Sequence, residues 1–178
     1  MQSKLCGASE PMLSHDFTVM EASKLTFDMI ADVHCRCIGN IAGDNPQFRD
    51  SILTIDDILP SLVRLLQGGP AVSLVRNVVW VMSNLVRGKP RVAWGHAAPF
   101  IPVLAQLISA STDEEVLTDA AWALSYISDG EDERGAAVVA AGVIPRLVSL
   151  ASASATYRVR FACSVFYQSI ADKNDCSF

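Results

Sequence analysis

The chain has 178 residues, 51% of them hydrophobic, with 14 lysines and arginines against 19 aspartates and glutamates and a formal charge of −5. That length holds one sizeable core or a short stack of repeats; the acidic balance argues against general binding to nucleic acid or anionic membranes and suits a basic partner. The longest apolar run, residues 136–144, stops at Pro145 and falls far short of the ~20 residues that cross a bilayer.

The N-terminal MQSKLCGASEPMLSHDF lacks the continuous apolar stretch and cleavage site of a secretory signal, so an intracellular chain is expected. Residues 1–24 are expected to form a divergent or partly disordered segment, residues 25–172 the packed array, and residues 173–178 a tail. In HCRC, His34, Cys35 and Cys37 share one helical turn, but structural zinc takes its four ligands from two separated pairs and no second pair exists. The five cysteines, odd in number and irregularly spaced, read as reduced thiols; no metal or cofactor is expected.

Asp44-Asn45-Pro46 predicts a short helix through Leu53, with a capping residue ahead of a proline in the first turn. In LPSLVRLLQGG, Leu59, Leu62, Val63, Leu65 and Leu66 follow helical spacing, and Gly68-Gly69 ends the run. A longer helix over 72–86 is apolar on most sides, as burial between neighbours requires. The same short-long pair recurs at 101–109 with 113–127, and at 143–151 with 157–170. Asp113, Glu114 and Glu115 open one long helix where negative charge favours the macrodipole.

The recurrence has a fixed period. GNIAGD around Asn40, WVMSNLVRG around Asn84, WALSYISDG around Tyr126 and SVFYQSIAD around Gln168 stand 44, 42 and 42 residues apart, and the prolines at 60, 102 and 145 keep the same rhythm. Periods of about 40 to 47 residues belong to armadillo and HEAT arrays, in which each unit buries its apolar face against the next. Three helices per unit favour armadillo: the expected fold is an all-α, right-handed superhelical solenoid of about three to four repeats with degenerate ends. The ends lack a polar capping repeat, which predicts a chain cut from a longer array or dependent on a partner.

Residues four apart share a helix face, so Trp80 with Asn84 and Trp122 with Tyr126 form rungs that stacking aligns along one groove. A carboxamide offers a donor and an acceptor to the backbone of an extended peptide whatever its sequence. Indole faces attract cations and cover the methylene stems of lysine or arginine. A carboxamide repeated in phase with an indole argues for exposure, because a buried unpaired amide costs roughly 1 to 3 kcal/mol. Helices about 8 to 10 Å apart and a strand rise of about 3.3 Å let each repeat address two or three peptide residues.

GNIAGDNPQFRD, RNVVWVMSNLVRGKP and DEEVLTDAAWALSYISDG strongly resemble the third, fourth and fifth repeats of the importin alpha family, the armadillo adaptors of nuclear import. The likeness is good over about 25–150 and fades across 151–172. It implies recognition of lysine- and arginine-rich nuclear localisation signals by a chain of cytoplasm and nucleus. Carried over by position, it assigns peptide binding to Asn40, Asn77, Trp80, Asn84, Trp122 and Tyr126, with Asp44 for the deepest lysine, Asp32, Asp119 and Asp129 beside it, and Arg87 after the fourth-repeat rung.

Several positions depart from the family. Arg36 stands where the third repeat has tryptophan, Ser164 and Gln168 stand where the sixth has arginine and asparagine, and the second repeat is not recognisable. A guanidinium at 36 removes a slot wall and repels lysine, which predicts weakened binding. Residues 1–24 hold no arginine-rich stretch of the kind by which the family engages importin beta, so that partner is not expected. The alternative is a general armadillo scaffold without nuclear-signal specificity. Catalysis is not expected: His15, His34 and His96 have no partner in register, and Gly88-Lys89-Pro90 lacks the rest of a phosphate loop.

Overall fold

The computed structural model describes residues 13–152 and 156–174, with side chains placed within 22–152 and 156–169. All regular structure among these residues is helical: α1 (Leu13–Asp44), α2 (Pro46–Leu53), α3 (Ile58–Leu65), α4 (Val72–Val86), α5 (Trp94–Ala97), α6 (Phe100–Ala110), α7 (Glu114–Ser128), α8 (Asp132–Ala140), α9 (Ile144–Ser152) and α10 (Tyr157–Asn174). The long helices α1, α4, α7 and α10 stack side by side in that order, and the shorter ones pack against them as an outer layer. Each unit is thus short, short, long, the three-helix repeat that the period implies.

The boundaries follow local chemistry. Asn45, in an extended conformation, accepts a hydrogen bond from the Gln47 amide, and Pro46 supplies a first residue that needs no N–H. Gly68 and Gly69 turn the chain from α3 to α4 with φ of 74° and 66°, a region costly for residues with a Cβ. At α7, Asp113 is the cap itself, accepting from the amides of Glu115 and Val116, and Arg76 of α4 grips the same carboxylate. The sequence gives no clear cue to α5, one turn long, or to α8, a short alanine- and valine-rich helix without proline.

α1 is continuous from Leu13, so the expected boundary at residue 24 lies inside a helix; residues 1–12 and 175–178 fall outside the described residues. Its middle ties down the first full unit. Lys24 Nζ donates to the carbonyls of Gly68 and Gly69 at 2.9 and 2.6 Å, and Asp28 Oδ2 accepts from Ala71 N at 3.0 Å. One helix therefore satisfies the end of α3 and the start of α4, whose own cap residue, Ala71, has no side chain to do so.

The core is the interior of the stack. Val78, Val79, Val81, Met82 and Leu85 of α4 and Ala120, Ala121, Ala123 and Leu124 of α7 are shut off from solvent, since each of these helices is sandwiched between two others. Burial of each large aliphatic side chain stabilises by about 1.5–3 kcal/mol. The outward sides of α1 and α10 have no such cover, and Phe27, Ile30 and Tyr167 are exposed there. Cys35 and Cys163 are buried, and burial pushes both thiols up to about 11, while Cys37 is exposed. No single helix among the described residues is long and apolar enough to cross a membrane; α8 and α9 reach that length only together, and they meet at 82°.

Arg49 closes the joint between units. Only 1% exposed, it donates from Nη1 to the Arg87 carbonyl at 2.6 Å and from Nη2 to that of Pro90 at 2.8 Å, pinning α2 to the chain leaving α4. Arg49→Met should lower unfolding stability by about 2–4 kcal/mol in urea, because the chain leaving α4 loses two charge-assisted bonds. Arg49→Lys should recover only part, since an ammonium lacks the planar fork.

Candidate peptide-binding trough

The inner faces of the four long helices line one open trough of about 540 Å³. α1 contributes Arg36 and Asn40, α4 contributes Arg76, Asn77 and Trp80, α7 contributes Glu115 and Asp119, and α10 contributes Arg158. The repeat accounts for part of this lining: Arg36 and Trp80 stand 44 residues apart and Asn77 and Asp119 stand 42 apart, equivalent positions on neighbouring long helices. Of the eleven residues assigned from the sequence, Asn40, Asn77, Trp80 and Asp119 line this trough.

The three asparagines differ in what they have left to offer. Asn40 is exposed, and its carboxamide makes no hydrogen bond among the described residues. Asn77 donates from Nδ2 to Asp32 Oδ1 at 2.6 Å, so Asp32 is occupied in holding that carboxamide. Asn84 departs from the expectation of an exposed rung: it is 4% exposed and donates from Nδ2 to the Gly39 carbonyl of α1 at 3.1 Å. The cost that argued for exposure disappears once a helix carbonyl supplies the partner. No side-chain nitrogen or oxygen among the described residues is buried without one.

Trp80, half-buried, lies on the same surface. A Cβ at Gly39 would overlap its six-membered ring, and one at Gly43 would stand 3.2 Å from Asn84 Nδ2. Gly39 and Gly43, one turn apart, thus form a flat seat on α1 for Trp80 and Asn84, one turn apart on α4. Trp122 and Tyr126 of α7 stack at 5.8 Å; Trp122 meets Phe161 of α10 at 5.9 Å, and Phe161 stacks on Tyr157 at 5.9 Å. Phe161 was not singled out from the sequence, although it lies 42 residues after Asp119 and 84 after Asn77, in register with both. Arg76, Glu115 and Arg158 were also missed as trough residues; their spacing carries no repeated motif.

The remaining assigned residues form a rim. Asp44 ends α1, Arg87 caps the C-terminus of α4 and Asp129 that of α7, giving alternating charges along one edge. Arg91 Nε donates to Asp129 at 3.1 Å, and Arg87 lies close enough to Tyr126 to oppose the upward push that burial gives its phenol. Inside the trough Arg76 is held by Asp113 at 2.7 Å and by Glu115 at 3.2 Å. Burial raises the Asp119 carboxyl to about 6; Arg158 opposes that shift and Glu115 adds to it.

The armadillo/beta-catenin-like repeat model matches residues 51–87 and 97–129. Importin subunit alpha-2 of Arabidopsis thaliana is 48% identical over 113 residues, 64% of this chain and 21% of that protein. Importin subunit alpha-1a of Oryza sativa subsp. japonica is 50% identical over 107 residues, 60% of this chain and 20% of that protein. The chain is an importin-alpha-like partial array of armadillo repeats. It spans about a fifth of the length of the curated relatives it matches. The crystal structure of an engineered protein superposes on the importin-alpha-like array with a TM-score of 0.67 at 26% identity, covering 79% of this chain and 56% of that one. A designed armadillo repeat protein in complex with the peptide (KR)4 gives 0.63 at 21% identity over 78% and 61%, a likeness of fold alone.

Gly39→Ala should unseat Trp80: intrinsic tryptophan emission should shift to longer wavelength and the thermal midpoint should fall by several degrees, as an overpacking cost of about 1–3 kcal/mol implies. Asp119 predicts a pH effect of defined sign. Its folded pKa lies above the unfolded value, so the stability linked to its protonation is full below pH ~4 and is lost as pH rises through ~6. Asp119→Asn should therefore raise stability at pH 7.5 by about 1–2 kcal/mol, allowing for partial solvent access, with little gain at pH 4. Thermal melts at the two pH values read the difference.

Proposed function

We propose that the trough binds an extended protein segment of the lysine- and arginine-rich kind that serves as a nuclear localisation signal, and that the chain acts in protein import in the cytoplasm and nucleus. The observation that carries this reading is the convergence of all four long helices on one trough in which Asn40 keeps its whole carboxamide free and aromatic rings stand alongside. The importin alpha relatives support it. A peptide backbone donates to and accepts from Asn40 and reaches Asn77 on its oxygen side. Methylene stems lie across Trp80 and along the Trp122–Phe161 pair, and cationic heads turn to Asp119 and Glu115.

That binding works against competition. Arg76 already holds Glu115, and Arg158 faces Asp119, so an incoming lysine must displace resident guanidiniums. Affinity is accordingly lower than in an array with a third-repeat tryptophan. Arg36 favours a second reading, a peptide-binding scaffold with broader sequence preference, because a cationic wall does not select lysine.

Fluorescence anisotropy with a labelled lysine-rich peptide and its alanine-substituted version separates the two. The lysine peptide should bind at least about tenfold more tightly, and Asn40→Ala with Trp122→Ala should cost about tenfold or more, roughly 1.4 kcal/mol, at unchanged helical circular dichroism. Equal affinity for both peptides would favour the broader scaffold, and an unaffected double variant would move the site out of the trough.

A further inference from the structure

We infer that Arg36 makes the α1 end of the trough a receptor for a peptide carboxylate, so that the segment bound is of mixed charge, with an acidic residue against Arg36 and a basic residue further along toward Asp119. The inference rests on the peptide-binding reading above and assigns its specificity.

Arg36 occupies the rung position that Trp80 and Trp122 hold on the next two long helices, and it is exposed on the trough wall. It makes no ion pair or hydrogen bond among the described residues. The nearest carboxylates direct their bonds to other partners than Arg36. Asp32, one turn before it on α1, accepts from Asn77, and Glu115 across the trough is held by Arg76. Of the charged groups in the lining, three are guanidiniums and two are carboxylates. A peptide laid over Arg36 strips water from a guanidinium that has no directly bonded counter-ion, which is costly unless the peptide brings one. A carboxylate meets that need with two parallel hydrogen bonds to the guanidinium fork. Asn40, one turn further along α1, is free to hold the peptide backbone beside it.

The geometry sets a spacing. Arg36 on α1 and Asp119 on α7 are two helix intervals apart, about 16–20 Å, which an extended chain covers in about five or six residues. The acidic and basic residues of the bound segment should stand that far apart.

The test is a glutamate scan of a labelled lysine-containing peptide, with alanine at the same positions as reference, in both chain directions, read by anisotropy at low salt. On the wild-type chain, glutamate about five or six residues from the lysine should tighten binding about three- to tenfold over alanine. The gain should vanish in Arg36→Ala, and Arg36→Glu should prefer lysine at that position; the exposed site lets both variants keep the parent circular dichroism. Peptide binding with no glutamate preference, or a preference that survives Arg36→Ala, overturns this inference and leaves the trough reading standing. No binding of any peptide overturns both.

Discussion

The structure depends on how closely α4 can lie against α1. Gly39 and Gly43 remove two side chains from one stripe of α1, and into that stripe α4 sets an indole and a carboxamide. Trp80 fills the apolar part of the contact, and Asn84 uses a second lone pair on a carbonyl already inside the α1 helix. A glycine pair in a helix costs conformational freedom, roughly 0.5–1 kcal/mol for each relative to alanine. The tight seat offsets that by burying most of α4, where Leu74, Val78, Val79, Val81, Met82 and Leu85 are closed off from solvent. Lys24 and Asp28 extend the same contact to the turn between α3 and α4, so α1 holds the first full unit from its middle to its C-terminal end.

A contact of this kind gives one residue pair two tasks. Trp80 packs against α1 with one part of its ring system and lines the trough with another. Asn84, in the same stripe, has gone over to the interior. The two asparagines of the rung series differ by residue: the Asn40 carboxamide is exposed, whereas that of Asn84 is drawn into the α1 contact.

This division marks what the sequence made legible. The fold was readable because two independent markers, the asparagine series and the proline series, kept one period, and α2, α3, α4, α6, α7, α9 and α10 begin and end within a few residues of their signals. The α1 helix runs through the expected boundary at residue 24, and Lys24 and Asp28 on it bond to residues more than 40 positions away, a link no local pattern contains. Four of the positions that the resemblance assigned, Asn40, Asn77, Trp80 and Asp119, line the trough. Asn84 was read correctly for its face and wrongly for its exposure, since a carbonyl acceptor on a neighbouring helix has no sequence signature. Phe161 was visible in the same register as Asn77 and Asp119, and was missed because the motif was followed through tryptophan and asparagine alone.

The charge pattern follows from the same stacking. Arg76 is drawn to Asp113 because that carboxylate also caps α7, so one ion pair fastens two helices and fixes a guanidinium in the lining. Glu115 then leans toward Arg76, and Asp119, left in a drier position beside Arg158, holds its proton more tightly. Each acid that faces the trough is thereby weakened as a lysine partner by a bond or a burial that serves the fold. Arg36 is the converse case: its guanidinium makes no ion pair or side-chain hydrogen bond among the described residues, so no packing or capping task claims it. On the mixed-charge proposal, it is the helix stack itself that biases the trough away from a purely cationic peptide.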